Sequence, residues 1–576
     1  MAERTFGWVQ DPGKLKSLRL VVEVFDNKSE THNKLKTRII PRLISEENGL
    51  SHFISELNKK KLSLKYRDLV GTHSTPRSKT KCNAVIQATV RGQTKPFISD
   101  WAADNFVRWA QALGFIKWDK KADSFSMTPL GLALSRSERE SDKEYRVFER
   151  AFLSYPPVSR IIKLLFEAGE KDEALTKFEI GRQLGFIGEE GFTSISQNLF
   201  VKEISLAPKE EKSDIRSNWE GDSDKYARMI CSWLSQLKYP WVTGIYKQVK
   251  IEFVNQNYSH KLQAYTLTRR GIEIRKYIDG SSKFSKVPKL VNFEMLSTKG
   301  KDRQYLRTRR ALILNFISKK TKMLESIQGY LKEKGLEEST STIQDDIKGL
   351  ENIGLSIDSS RKGYCCSDEI IGLKMPRLAV AETRRSDVQE MIEQCRSELK
   401  AIPHDYLVLI SLSFESQQNR MFEIKTMELL IEQCKFSGLH LGGGNKPDGL
   451  IYNSDYGVII DTKAYEAGFN IPAPERDKMK RYIDENVTRN ASHNRTEWWN
   501  NFPANLKEFL FLFVSGKFGG DFKTQLKILS ERTDDTLGGA MPSVELLKIA
   551  DGIAGNRMNQ DDFRNKMACL DEVTAQ

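Results

Sequence analysis

Four residues in the C-terminal third have the types and spacing that phosphodiester hydrolysis requires. Asp461 and Lys463 stand two apart in the apolar run Tyr456-Gly-Val-Ile-Ile-Asp461-Thr-Lys463. On a strand, residues i and i+2 leave from the same face. Asp448 follows Pro447 one hairpin upstream, and Glu423 precedes both in a helical pattern. Cutting a phosphodiester calls for a hard divalent cation that binds the scissile phosphate and acidifies a water. Mg2+ is held by one or two carboxylates together with waters and substrate oxygens. Asp448 and Asp461 are the expected metal ligands. Lys463 is expected to orient or deprotonate the water and to offset charge on the phosphorane. Glu423 joins them in the expected catalytic set. An Asp-X-Lys triple alone is common. Here it comes with a Pro-Asp partner, strand-forming flanks, and glycines at 442–444 that let backbone approach closely.

The elements that must hold these residues can be read around them. A helix is expected over 387–400 and a second over 414–433, with Phe422, Thr426, Leu429 and Leu430 inward and Glu423 on or near that face. After the Asp448 and Asp461 strands come a helix over 474–488 and a strand over 507–515. Helix, three strands, helix, strand is the core of a restriction-endonuclease-like, PD-(D/E)XK α/β nuclease. Pro376 and the polar stretch 382–387 read as a linker.

The chain has 576 residues, 39% hydrophobic and 29% charged. That length suggests three to five domains, and that balance excludes wholesale disorder. No apolar run approaches the roughly 20 residues of a membrane helix, and no apolar signal region opens the chain. Seven thinly spread cysteines imply a reducing compartment rather than a disulfide framework. Cys365 and Cys366 are adjacent and no C-x2-C pair exists, so a zinc site is disfavoured. His440 is more simply structural than a ligand.

Charge divides the chain. Of 90 basic and 77 acidic side chains, residues 381–576 hold 24 and 30, a net of −6. Residues 1–380 hold the remaining 66 and 47, a net of +19. A polyanion partner for the first part is the natural reading, because phosphate contacts by Lys and Arg release condensed counterions.

That basic part repeats one pattern three times. A helix over 106–113 is stopped by Gly114, followed by two short strands and Thr128-Pro-Leu-Gly131. The pattern returns as a helix over 226–237, strands over 241–246 and 251–254, and Thr268-Arg-Arg-Gly271. A weaker copy runs through 343–353, 354–357 and Tyr364-Cys-Cys. Helix followed by hairpin is the winged form of helix-turn-helix, whose second helix suits the major groove. In the third copy the basic residues gather in one helix (Arg303, Arg307, Arg309, Arg310), which suits docking as well as DNA. In the second, Lys225 and Arg228 share a helix face, and Arg228 could instead pair with Asp224. The fold class expected is therefore multidomain α+β: three winged-helix recognition subdomains followed by the nuclease domain. The boundaries read are 1–140, 141–285, 286–372, a linker at 373–386, and 387–576.

These residues carry a resemblance that runs nearly end to end. Arg4-Thr-Phe-Gly-Trp-Val-Gln10, Asn218-Trp-Glu-Gly221, Ser223-Asp-Lys-Tyr-Ala-Arg-Met229, Lys446-Pro-Asp-Gly449, Asp461-Thr-Lys-Ala-Tyr465 and Thr488-Arg-Asn490 resemble the FokI-like family of type IIS restriction endonucleases. The resemblance implies a bacterial cytoplasmic enzyme that reads an asymmetric, GGATG-like site in double-stranded DNA with its first two subdomains. The third subdomain would hold the cleavage domain until DNA is bound. Mg2+-dependent cutting of both strands at a fixed distance, leaving 5′-phosphates, would follow. Asp448, Asp461 and Lys463 fall on the family's catalytic positions. Gln10, Arg77, Trp101, Trp219, Glu220, Lys225 and Arg228 fall near the bases. Asp11 and Ser217 stand where the type member has asparagine. Aspartate is acceptor-only and favours a cytosine amino group, so the base sequence read should differ there.

The resemblance further implies a companion DNA methyltransferase, and a transient homodimer on DNA through Asp477 and Arg481 of two cleavage domains. Those two also stand i, i+4, where they could pair within one helix. The alternative to an endonuclease is a winged-helix DNA-binding regulator with an inactive nuclease-like domain.

Overall fold

The computed structural model describes residues 6–39 (Pro12 excepted), 100–119, 124–253, 256–375 and 385–575. In the first part, α1 (Leu15–Val24) packs against α2 (Asp100–Ala112). Gly114, at φ 76°, ends α2 and turns the chain into β1 (Ile116–Asp119), which pairs antiparallel with β2 (Ser124–Met127). Thr128 then caps α3 (Pro129–Ser135) by accepting from the Gly131 amide.

The second part contains α4 (Asp142–Ser154), α5 (Pro156–Gly169), β3 (Leu175–Thr176), α6 (Lys177–Gly181), α7 (Gln197–Leu206), α8 (Lys212–Asn218) and α9 (Asp222–Ser235). The hairpin of β4 (Val242–Phe253) and β5 (Gln256–Leu267) follows, then α10 (Arg269–Asp279), capped by Thr268. The repeated Thr-x-x-Gly has one physical reason in both copies. A Cβ at Gly131 would lie 2.1 Å from the Phe115 carbonyl oxygen, and one at Gly271 2.1 Å from that of Trp241. Only glycine lets the helix start this close to the preceding strand.

The second wing differs from the sequence expectation. Where two strands were expected over 241–246 and 251–254, the described residues 242–253 form the single unbroken β4, and the return strand is β5. The hairpin is exposed over 243–246 (Tyr246 is 79% exposed), whereas farther out Val249 of β4 and Leu262 of β5 are buried in the core that also holds α7, so no single hydrophobic alternation runs along the wing. The third part matches its expected order: α11 (Arg303–Ile317), α12 (Leu324–Glu333), α13 (Thr340–Asn352), β6 (Ile357–Ser360) and β7 (Gly363–Cys366). All three parts share one core, in which Trp109 of α2 stacks on Trp233 of α9 at 5.2 Å.

The C-terminal part begins with α14 (Asp387–Glu398), capped by Ser386, and continues to α15 (Asn419–Glu432). The expected helix over 414–433 starts later than the sequence suggested. Phe414 precedes it and packs on Gly516, where a Cβ would lie 2.7 Å from its ring. Next come β8 (Ser437–His440), β9 (Gly449–Tyr452), β10 (Tyr456–Lys463), α16 (Ala473–Thr488), β11 (Glu508–Ser515), α17 (Phe522–Glu531) and β12 (Gly538–Pro542). They form one sheet in the order β8-β9-β10-β11-β12, antiparallel at the first two junctions and parallel at the last two. The sequence reading had no β12, whose Gly-Gly-Ala-Met run lacks β-branched and aromatic side chains. One sheet face, with Val458, Ile460 and Leu512, packs on α15. The other, with Leu450, Ile459 and Phe513, packs on α16 and α17.

The cleavage-type domain is docked against both the third and the second parts. Arg309 of α11 reaches Glu393 of α14 at 2.9 Å, and Arg396 of α14 pairs with Asp345 of α13. The second part adds Lys425 to the Ser194 carbonyl at 2.9 Å and Arg182 to Glu428 at 3.2 Å. The expectation assigned docking to the third part alone. The difference arises because α15 is buried on its far side too, by residues such as Phe178, Phe200 and Trp219. Among the described residues no helix is long and apolar enough to cross a membrane.

Candidate active site and recognition surface

The hairpin of β9 and β10 brings the distant carboxylates together. Gly449 pairs with Ile460, so the same antiparallel register sets Asp448 across from Asp461 at the end of the ladder. Asp448 Oδ2 accepts from the Thr462 amide at 2.7 Å and its hydroxyl at 3.0 Å. Glycines 442–444 all have positive φ, and the turn they make leads back to Asp448, whose carbonyl accepts from Leu441 N at 2.9 Å.

Asp461 is fully buried, and Lys463 Nζ lies 2.6 Å from its Oδ2. That oxygen has no well-aligned hydrogen bond. Burial raises the Asp448 pKa well above the usual carboxylate range, and the charges of Asp461 and Glu423 raise it further against the pull of Lys463. Burial also opposes the charge on Lys463. Asp461, Asp448 and Glu475 outweigh it and hold that ammonium protonated.

Two carboxylates directly across a ladder repel each other. A pair with this surplus of negative charge suits a hard divalent cation. Among the described residues no group of three or more His, Cys, Asp or Glu side chains forms a ready cage. That donor set fits Mg2+, which keeps several waters and takes few protein carboxylates.

Glu423 is set apart from the pair. It lies within electrostatic reach of Asp448, but its Oε2 is 3.3 Å from His440 Nε2. His440 is buried under the glycine turn, where a Cβ on Gly442 would meet its ring at 2.4 Å. Its ring also meets Trp219 edge-on at 5.3 Å. Sequence reasoning missed two further neighbours on α16. Glu475 Oε2 is 3.1 Å from Lys463 Nζ, and Lys478 Nζ is 3.4 Å from Asp461 Oδ1. A helix following an Asp-X-Lys strand was visible. Which of its side chains would turn back toward that strand was not.

The residues expected near bases fall into several environments. Gln10 donates to Asp222 at 2.5 Å, at the start of α9, and Asp11 is exposed beside it within electrostatic reach of Arg228. Arg228 grips Glu220 with two contacts, 2.7 and 3.1 Å, and Lys177 holds the same carboxylate at 2.8 Å. Burial favours a neutral Glu220, but Arg228 and Lys177 overcome it and keep it ionised.

The alternative pairing of Arg228 with Asp224 is absent. Asp224 is fully buried, accepts from the Gly221 and Ile195 amides and from Ser194, and is pushed up to about 6 by burial. Lys225 is half-buried, and Ser217 is exposed at the end of α8, donating to the Asp214 carbonyl at 3.0 Å. Trp219 is 1% exposed and turned into the core shared with the cleavage-type domain. Trp101 lies on α2 with its side chain outside the described set, and Arg77 lies outside the described residues altogether.

Asp477 and Arg481 are both exposed on α16 and do not pair with each other. Asp477 accepts from Arg476 at 2.8 Å, and Arg481 lies 3.6 Å from Glu485.

A two-carboxylate, one-lysine site on a mixed sheet, carried by a separate set of helix-and-wing subdomains, defines a modular nuclease. The chain matches family models of the FokI recognition domain, subdomain 1 over residues 4–137 and subdomain 2 over 144–293. It also matches the FokI D3 domain over 296–362 and the FokI cleavage domain over 385–574. It is 42% identical to the type II restriction enzyme FokI of Planomicrobium okeanokoites over 98% of both chains. It is 30% identical to the type II restriction enzyme StsI of Streptococcus sanguinis over 98% of this chain and 94% of that one. The structure resembles that of the restriction endonuclease FokI (TM-score 0.87) and that of FokI bound to DNA (0.90). Both are 40% identical and cover 99% of this chain and all of the other. The chain belongs to the FokI family of type II restriction enzymes, and the reading as an inactive regulator is set aside.

Proposed function

We propose that this enzyme is a type IIS endonuclease that binds an asymmetric site in double-stranded DNA and cuts both strands at a fixed distance outside it, leaving 5′-phosphates. The observation that carries the reading is the register that sets Asp448 opposite Asp461, with Lys463 on the same face. Asp448 and Asp461 would hold Mg2+, whose chemistry when bound is to polarise the scissile phosphate and acidify a water. Lys463 stays protonated, offsets charge on the phosphorane and orients the attacking water. Glu423 adds negative potential beside Asp448 and, through His440, fixes the turn that carries it.

Specificity comes from the N-terminal arm and the start of α9. Arg228 and Lys225 are donors for guanine, and Glu220 is an acceptor for a cytosine amino group. Asp11 and Ser217 adjust the site read away from GGATG. Gln10, Arg77 and Trp101 complete that surface, and Trp219 supports it from beneath. Subdomains over 1–140, 141–285 and 286–372, a linker at 373–386 and a cleavage domain over 387–576 form the functional units. Cutting the second strand uses a second copy, met through Asp477 and Arg481 on α16. A methyltransferase of matching specificity would protect the host DNA in the cytoplasm of the bacterium. Run-off sequencing of a plasmid digested with Mg2+ tests the reading: discrete ends at one distance from one asymmetric sequence are expected. Ends scattered over the plasmid would refute it.

A further inference from the structure

We infer that Glu475 is a positioning residue for Lys463, holding its ammonium where the attacking water must lie. This rests on the catalytic reading of Lys463 given above. A lysine has four rotatable side-chain bonds, so its ammonium is placed only by what holds it. Two anions hold this one: Asp461 at 2.6 Å and Glu475 at 3.1 Å. Asp461 is also an expected metal ligand, and the more that carboxylate is engaged elsewhere, the more the lysine depends on Glu475.

Glu475 is built for the task. It sits in the first turn of α16, where the helix dipole favours a carboxylate. The helix is fixed to the sheet by Met479, Tyr482 and Ile483. Glu475 Oε2 is buried without a well-aligned hydrogen bond, and the ammoniums of Lys463 and Lys478 (the latter at 3.9 Å) stand beside it. Its contact with Lys478 is long and belongs to the same helix, so the shorter contact across to β10 is the one that fixes a side chain of the site. The core beneath α16 is apolar and does not depend on Glu475, so its loss should disturb the lysine rather than the fold.

The test uses the full chain with Glu475→Gln, which keeps the shape and removes the charge, beside the parent, Glu475→Asp and Lys463→Ala. Three quantities are read: the single-turnover cleavage rate with protein in excess over sites, the affinity for a cognate duplex, and the acetylation rate of Lys463. The last is measured by mass spectrometry on metal-free protein under limiting acetic anhydride. Glu475→Gln should slow cleavage tenfold or more with duplex affinity within twofold. Lys463 should acetylate several-fold faster while the distant surface Lys523 does not change. Glu475→Asp, which keeps the charge, should recover part of the rate. A Glu475→Gln rate within twofold of the parent, where Lys463→Ala is inactive, would overturn the inference and leave the catalytic reading standing. A slower rate with unchanged acetylation of Lys463 would overturn it too, since Glu475 would then act elsewhere. Normal cutting by Lys463→Ala would instead bring down the catalytic reading itself, and the inference with it.

Discussion

Two of the clusters of buried charge among the described residues have opposite chemistry. Between the third subdomain and the cleavage domain, Arg309 contacts Asp346 at 2.6 Å, Glu338 at 3.2 Å and Glu393 at 2.9 Å, while Arg310 contacts Asp346 at 2.8 Å. There the carboxylates are matched by arginines: burial favours a neutral Glu393, but Arg309 and Arg396 outweigh it and hold its pKa far below the usual range. At the ends of β9 and β10 the balance is reversed. Lys463 and, at longer range, Lys478 serve Asp461 and Glu475, and Asp448 is left with a hydroxyl, an amide and a raised pKa. A matched cluster holds two bodies together. A cluster short of cations is ready to take one.

The largest effect tests the unmatched cluster. Asp448→Ala or Asp461→Ala should lower plasmid cleavage by about 1,000-fold or more, the scale set by removing members of a catalytic unit. Binding to the cognate duplex in a gel-shift assay should survive, because the recognition residues lie on other subdomains. EDTA should reproduce this with the parent chain. Either variant cutting normally would break the distinction between the two clusters.

The matched cluster should fail differently. Arg309→Ala leaves Asp346, Glu338 and Glu393 buried without their shared partner, a loss of about 3–5 kcal/mol. Because the chain is multidomain, the readout is docking rather than a single unfolding energy. Limited proteolysis should release the cleavage domain far faster than in the parent, and site-independent nicking should rise. Unchanged proteolysis would mean that the contacts of the second subdomain, such as Lys425 with Ser194, suffice alone.

Opposite pKa shifts imply opposite responses to pH. The Glu393 pKa is lowered, so its contribution to docking is complete above the ordinary glutamate value of about 4.5 and is lost as pH falls through the lowered value. The Asp448 pKa is raised. Its contribution is therefore complete below the ordinary aspartate value of about 4 and is lost as pH climbs through the raised one. Metal-free Asp448→Asn protein should melt with the parent near pH 4 and above it near pH 8. Parallel melting across that range would remove the contrast.

How much of this was legible depended on pattern. The strand carrying Asp461 and Lys463 was readable because i, i+2 spacing in an apolar run fixes a face. The Pro-Asp and glycine motifs placed Asp448 on its neighbour. The repeated Thr-x-x-Gly marked two helix starts for a steric reason that survives in the structure. The fate of Arg307, Arg309 and Arg310 was not readable, because a basic helix has one composition whether it meets phosphates or buried carboxylates. All three are buried. Nor could the aromatic Trp219 declare itself a wedge between domains, since its partner His440 lies 221 positions away. Contacts that depend on docking leave no local period.

Between the buried clusters and the open surface lies Arg228, half-exposed and paired with Glu220. Arg228→Ala should weaken cognate binding by about 1–3 kcal/mol and relax the site at one position. Selection of bound sequences from a randomised pool checks this. An equal loss on every sequence would mark a phosphate contact instead. Since Arg228 also holds Glu220 ionised and in place, Glu220→Gln should relax a position near the one that Arg228 is expected to read.

The smallest effect belongs to exposed charges that pair only with neighbours in their own chain. Asp477 and Arg481 project from α16 without pairing with each other, and Val487, farther along the helix, is 72% exposed. An exposed ion pair contributes roughly 0.2–1 kcal/mol. In a two-fold contact each pair occurs twice, so small terms accumulate only in the dimer. Asp477→Ala should therefore leave folding, cognate binding and first-strand nicking near parental values. Second-strand cutting at limiting protein should slow several-fold, with a steeper dependence on protein concentration. Adding Arg481→Ala to the same chain should cost little more, because its expected partner is already gone, whereas the opposite-charge exchange Asp477→Arg with Arg481→Asp should restore much of the rate. Double-strand cutting by Asp477→Ala at the parental rate, independent of concentration, would show that α16 is not the surface through which two copies meet.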